Sequence, residues 1–539
     1  MSQVATIHVP GRTGEIKVPT GLFINNEFVP SVDSKEVIDA INPLTEEVIC
    51  SVTCASAKDI DVAVAAARKA FNTTWGKNVT GFERARLINK LADLIEQNAQ
   101  ELGELESLNN GKPVRIARDF DIGDSVQCLR YYAGWADKIA GQTLEIDNKT
   151  KFAFTKHEPI GVCGQIIPLE LPDRKVAPAL AVGCTIVMKP SELTPLTALK
   201  LSELVKEAGF PPGVLNTVQG LGSVAGSALA AHPDVDKVAF TGSTITGRKI
   251  MEAAAKSNLK KVSLELGGKS PHLIFESCDM DQAANWAALG ICYNSGQARL
   301  HRWIAVKELV FGNGFESETS GGPVVSKAQY DKIWGYIESG KQEGAKVVLG
   351  GNKRSGKGFF VDPTIFTDIR PNMKIVKEEA SFTSIISEYL SQSLSQIFGP
   401  VLSVGRFTTE AEAISLANDT TYGLGAGLHS SKPIIKFTGP GDLVAILDDA
   451  NQCMRVASAL EAGTVWINQY NILHTNTPFG GKKQSVESSS IPFFSSRLIG
   501  AFFQGDRYLG RELGSYALEE YTSVKAVHWN FGEKLDWPL

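Results

Sequence analysis

Apolar side chains recur at every third or fourth position in DIDVAVAAARKAF, from Asp59, and in ERARLINKLADLIEQNAQELGELES, from Glu83. That spacing predicts two amphipathic helices, each with one face for a core. The pattern changes at Gly161. Short apolar runs closed by Gly or Pro follow one another there: GVCGQIIP, CTIVMKP, VLNTVQG, KVAFTGS, KVSLELGG and HLIFES, separated mostly by stretches of helical spacing such as TALKLSELVKEAG. Strand alternating with helix predicts an α/β fold with a parallel, doubly wound sheet. Such sheets bind ligands beyond the carboxyl ends of their strands, so chemistry is expected at the residues that close each run.

Composition narrows the class. The 539 residues, 43% hydrophobic and 21% charged with a formal net charge of -5, allow two or three domains and argue against a disordered chain or a nucleic-acid-binding tail. No run approaches the roughly 18 apolar residues of a membrane helix, and the first ten residues lack the basic-plus-apolar pattern of a signal peptide. The eight Cys are scattered without the paired spacing of a metal site. They read as reduced, buried thiols, which points to a cytoplasmic setting with no metal, membrane or nucleic-acid partner.

Two segments have the form of a phosphate site. Gly220, Gly222 and Ala225 satisfy the spacing of a dinucleotide-binding turn, but the acid expected about 20 residues on is missing. Asp234 and Asp236 come too early, in the loop before KVAFTGS, and helix packing is the competing reading. In FTGSTITG, from Phe240, a strand runs through Gly242 and Ser243 into a hydroxyl-rich turn that opens a helix. Free N–H groups and the helix dipole favour an anion there; the alternative is that Ser243 is only an N-cap. At the end of CTIVMKP stand Lys189 and Glu192, a cation and a carboxylate that either hold a ribose by its hydroxyls or form a surface ion pair. Glu265 closes an apolar run and is followed by Gly267 and Gly268. A carboxylate in apolar surroundings keeps its proton to higher pH and suits a general base, or is a structural hydrogen-bonded group.

The ordered set of segments resembles the NAD(P)-dependent aldehyde dehydrogenase superfamily, in its fungal-type members. The resemblance rests on FINNEFV at Phe23, LNNGKP at Leu108, EPIGVCGQIIP at Glu158, MKPSELTP at Met188, FTGSTITG at Phe240, LELGGKSP at Leu264, IFGPVLSV at Ile397, EAGTVWIN at Glu461 and GRELGSYALEEYTSVKAV at Gly510. It implies a Rossmann-like cofactor domain over residues 21–263, carrying an oligomerisation hairpin at 137–158. A catalytic α/β domain over 264–485 and a small β oligomerisation element completed by residues 510–530 follow. It also implies oxidation of an aldehyde to a carboxylic acid through a Cys thiolate, with NAD as hydride acceptor and a Glu that activates water. Carried over, Glu265 is the general base and Lys189 and Glu192 hold the adenosine ribose. Ile166, Gly222, Gly242 and Ser243 line the cofactor, and Glu379 and Phe398 frame its nicotinamide end. Glu192 opposes a 2′-phosphate, which favours NAD over NADP. A homo-dimer or homo-tetramer is implied, and an aldehyde is the small-molecule partner.

The pattern departs at the nucleophile position and is interrupted at five further places. In SGQARLH the family's nucleophilic Cys position holds Arg299, which cannot attack a carbonyl, and removal of the nucleophile costs on the order of 10⁶ in turnover in some covalent enzymes. Cys292, seven residues earlier on an expected helix, reads as a core thiol. In IIPLELP the place of the family's oxyanion Asn holds Glu170, whose charge opposes the developing oxyanion, and residues 173–175 stand where the family has a longer helix. Residues 380–396, 432–449 and 486–509 interrupt regular blocks, and a helix's worth of chain is missing between Glu308 and Phe315. These breaks read as mis-joined coding segments, with non-coding sequence retained at three places and coding sequence lost at two. A divergent, catalytically silent NAD-binding relative or oligomer partner is the alternative, and both account for Arg299.

Overall fold

The computed structural model describes residues 4–147, 149–168, 173–292, 309–370, 373–377, 383–387, 399–430, 433–437, 443–447, 450–485 and 510–534. Glu170, Arg299, Glu379, Phe398 and residues 486–509 lie outside the described residues.

Two seven-stranded sheets carry most of the strand structure. In the first, the order is Lys261–Glu265, Lys237–Thr241, Val162–Ile166, Thr185–Lys189, Leu215–Thr217, Leu22–Ile24 and Glu27–Val29. Its first five strands are parallel and the last two antiparallel. Val162–Ile166 and Thr185–Lys189 are buried at every residue, Gln165 and Lys189 included, as the mostly apolar strands of a doubly wound sheet covered on both faces by helices are. Leu196–Ala208, the TALKLSELVKEAG stretch, is one crossover helix, closed by Gly209 at φ +90°.

The sixth apolar run, HLIFES, does not join this sheet. As Pro271–Ile274 it lies in the second sheet, paired in parallel with Thr383–Ser387 and Gly425–His429. Periodicity identifies a buried strand but not its sheet. Thr383–Ser387, within one of the interrupting stretches, occupies an interior place in this sheet between Pro271–Ile274 and Val401–Phe407. Another stretch forms a separate hairpin, Pro433–Phe437 with Leu443–Leu447.

The early helices are Ala57–Thr73, Gly81–Gln97 and Ala99–Asn110. The first two start in capping boxes, Ser56 with Asp59 and Thr80 with Glu83, which satisfy orphan N–H groups of the first turn. The single helix expected from Glu83 is broken at Asn98, whose side-chain amide bonds the Leu94 carbonyl at 2.8 Å. Asn competes for backbone partners in this way, whereas apolar periodicity runs on across the break. Two N-terminal hairpins, Val4–His8 with Glu15–Pro19 and Val37–Asn42 with Glu47–Thr53, were not anticipated. The polar–apolar alternation of Glu15, Ile16, Lys17 and Val18 was the available signal.

A three-stranded sheet joins the end of the chain's first third to its last strand. Lys151–Pro159 pairs with Thr143–Leu144 on one side and with Thr522–Asn530 on the other, over nine antiparallel positions from Thr522↔Pro159 to Asn530↔Lys151.

Candidate active site and cofactor cleft

Ile166, Lys189, Thr241 and Glu265 are the final residues of four parallel strands. The chain runs outward from Val162–Ile166 through Thr185–Lys189 and Leu215–Thr217, then returns to the opposite side for Lys237–Thr241 and Lys261–Glu265. The direction of winding reverses beside Val162–Ile166, and a crevice opens at such a switch point.

Glu265 stands at one side of that crevice. Its Oε2 accepts a 2.8 Å hydrogen bond from Thr241 Oγ1 and lies 3.6 Å from Lys175 Nζ. Lys175 in turn donates to Thr241 Oγ1 at 2.6 Å and pairs tightly with Glu512. Burial, and secondly the negative charge of Glu512, push the Glu265 carboxyl up to about 7, against the pull of Lys175, Thr241 and Arg174. A carboxyl poised there exchanges its proton near neutral pH, as a general base must. The sequence did not single out Lys175 or Glu512. Lys175 sits on the helix Asp173–Val182, which begins where a longer helix was expected; Glu512 lies in GRELG, a matched segment whose Glu had no assigned role.

On the other side of the crevice, Lys189 Nζ reaches Glu192 Oε2 at 3.1 Å and the Pro190 carbonyl at 2.8 Å. Burial lowers the Lys189 pKa against the opposing pull of Glu192. For Glu192 burial acts upward but is outweighed by Lys189 and by backbone N–H groups, including that of Gly222, so its carboxylate is held below the usual range. The Gly220-x-Gly222-x-x-Ala225 segment turns helical at Gly222: Gly222–Gly226 forms a wide helical turn that continues into Ser227–Ala231. It packs over Lys189, so that a Cβ on Gly226 would lie 3.6 Å from Lys189 Cδ. Asp236 is structural, accepting from the Val162 N–H at 2.7 Å and pairing with Arg68 at 2.5 Å.

Ser243 is the N-cap of the helix Thr244–Lys256, its Oγ accepting from the Thr246 N–H at 3.2 Å. Gly242 donates to the Glu265 carbonyl at 3.0 Å, and a Cβ there would meet Phe240 Cζ at 2.4 Å. The turn therefore approaches its neighbours more closely than a larger residue allows. Just inside, Thr244 Oγ1 is buried without a hydrogen-bond partner among the described residues. Leu221, Val224 and Ile245, at the starts of the two neighbouring helices, are apolar yet exposed.

A family model described as the aldehyde dehydrogenase family matches residues 28–301 and 303–490. The chain belongs to the aldehyde dehydrogenase family. It is 47% identical over 538 residues to an aldehyde dehydrogenase of Emericella nidulans, covering 96% of both chains. It is 44% identical over 529 residues to a mitochondrial aldehyde dehydrogenase of Equus caballus, covering 94% of both. The structure of an aldehyde dehydrogenase from Bacillus cereus in complex with NAD+ superposes with a TM-score of 0.82 at 43% identity, covering 95% of this chain and 97% of that one. Betaine aldehyde dehydrogenase from Staphylococcus aureus in complex with NAD+ gives 0.82 at 34% identity, covering 97% of each. The α/β aldehyde dehydrogenase fold is thereby established for this chain. Among the described residues, no helix is long and apolar enough to cross a membrane.

Proposed function

We propose that this aldehyde dehydrogenase relative binds NAD at the carboxyl ends of its first sheet, in a site arranged for oxidation of an aldehyde to the carboxylic acid. The observation that carries the reading is Glu265, buried between Thr241, Lys175 and Glu512 and titrating near neutrality.

The residues fit the cofactor. The first-turn N–H groups of Thr244–Lys256 and the orphan Thr244 Oγ1 suit a pyrophosphate. The exposed Val224 and Ile245 suit the faces of an adenine. Lys189 and Glu192 suit the two hydroxyls of its ribose. Glu192, kept ionised, opposes a 2′-phosphate and favours NAD over NADP. Ile166, Gly222, Gly242 and Ser243 complete this half, with Glu379 and Phe398 proposed for the nicotinamide end. When bound, NAD supplies the hydride acceptor.

Where a thiolate attacks the aldehyde, Glu265 takes a proton from the water that hydrolyses the resulting thioester, and Lys175 stabilises the carboxylate before that transfer. Arg299 supplies no nucleophile, and Glu170 replaces an oxyanion donor, whose loss alone typically costs about 10² to 10³ in rate. We therefore assign this chain weak or absent turnover with retained cofactor binding. The sheet formed with Thr522–Asn530 exposes Val524 and Trp529 and is proposed to seat a second copy, in a cytoplasmic dimer or tetramer. Arg299→Cys tests the catalytic assignment. NADH production from aldehyde should rise at least about 100-fold, given the size of a nucleophile's contribution. An unchanged rate with NAD still bound would overturn it.

A further inference from the structure

Residues 510–521 run beside the strands Lys261–Glu265 and Lys237–Thr241 and are held at both ends of them. At the carboxyl end Glu512 pairs with Lys175, which lies 3.6 Å from Glu265, and the Glu512 backbone bonds that of Phe479 in both directions. Midway along Lys261–Glu265, a Cβ on Gly510 would lie 3.0 Å from Ser263 Cβ. At the amino end the helix Tyr516–Glu520 presents Glu520 to two ammonium groups that stand side by side in register, Lys237 at 3.1 Å and Lys261 at 3.4 Å. Lys237 is fully buried. It also donates to Ser263 Oγ at 2.7 Å, lies 5.1 Å from the centre of the Tyr521 ring and stands opposite Cys163 on the neighbouring strand. A buried charge left without its partner is costly, so this pair fixes where the short helix sits on the sheet.

We propose that Lys237 is a positioning residue: by holding Glu520 it seats residues 510–521 on the sheet and so keeps Glu512 on Lys175 beside Glu265. Lys175 stands between two carboxylates, and the one it pairs with closely is Glu512. While it does so, Glu265 lacks a close cation and keeps its proton. With the anchor gone, Glu512 withdraws, water reaches Glu265 and Lys175 turns to it, and both changes favour the ionised form. The side chains that act on Glu265 are Glu512, Lys175, Thr241 and Arg174, and of these Glu512 alone belongs to the anchored segment. This rests on the proposed function, in which Glu265 is the general base.

The test follows protonation of Glu265 in the full chain by difference infrared titration, its carboxyl band being identified by its loss in Glu265→Gln, and needs no turnover. The variants are Glu520→Gln and Lys237→Met, the second of which leaves Glu520 its other partner, Lys261, and so strands no charge. Wild-type Glu265 should titrate at about 7. Both variants should lower its proton affinity at least about tenfold, one pKa unit. Arg12→Met, which breaks ion pairs with Glu101 and Glu104 away from this segment, should leave the midpoint in place, so that a general loss of stability does not imitate the effect. An unchanged midpoint in either folded variant, or an equal shift in Arg12→Met, would overturn the inference. A wild-type midpoint at the ordinary 4.5 would instead overturn the general-base reading, and this inference with it; the wild-type titration tells the two failures apart.

Discussion

Replacing Glu265 by Gln should make the protein more stable above neutral pH and leave it nearly unchanged in mild acid. The Glu265 carboxyl has an ordinary value of 4.5 and is raised to about 7 in the fold, by burial and then by Glu512. The folded state therefore keeps the proton to higher pH than the unfolded chain. Its contribution to stability is fully present below 4.5 and is lost as pH rises through about 7. At 1.36 kcal/mol per pKa unit, that loss amounts to about 3 kcal/mol on the alkaline side. Gln keeps an oxygen to accept from Thr241 and carries no charge to desolvate, and Lys175 retains Glu512. Thermal melts of both proteins at pH 5 and pH 8.5 read the effect as a difference of differences, which cancels every other titrating group. The variant should gain on wild type by several degrees between the two pH values. A difference that stays constant with pH, or one that favours wild type at pH 8.5, would refute the burial argument for this carboxyl.

Glu192→Gln removes the charge that opposes a 2′-phosphate, so the preference for NAD over NADP, measured as a ratio of Kd values, should fall at least about tenfold; an unchanged ratio would place discrimination elsewhere. His429 is buried, 4.6 Å from the His272 ring between centroids, with Nε2 unpartnered among the described residues. Burial lowers it from 6.5 to about 4, so the unfolded chain binds its proton first and stability is lost as pH falls from 6.5 towards 4. His429→Leu should flatten that acid limb in melts by about 3 kcal/mol, and an unaltered limb would contradict it. Lys237 is fully buried and bonded to Glu520 at 3.1 Å. Glu520→Gln strands that ammonium and should cost about 3 kcal/mol in a denaturant titration, whereas a neutral effect would show the pair to be dispensable.

The parallel strands were legible because burial on both faces leaves short, mostly apolar runs, and Lys189 and Glu265 could be named because ligands are expected where such runs end, whereas Ile166 came only from the family resemblance. The break at Asn98 was not, since it turns on one side-chain hydrogen bond inside a pattern that remains helical on both sides. Lys175 and Glu512 are 337 positions apart, and no local pattern marks a lysine that will be buried between two distant carboxylates. The Gly220 turn shows the converse limit: its spacing fits a phosphate loop, while its structure is a helical turn packed over Lys189.

The proposed function predicts a chain that binds NAD but turns over little aldehyde. The most direct measurement is calorimetric titration of the purified full chain with NAD, followed in the same sample by addition of an aldehyde while NADH absorbance is recorded. Saturable NAD binding with little or no NADH formed is the predicted result. Absence of NAD binding, or NADH formation at the 1–10³ s⁻¹ typical of enzymes at roughly saturating substrate, would contradict it.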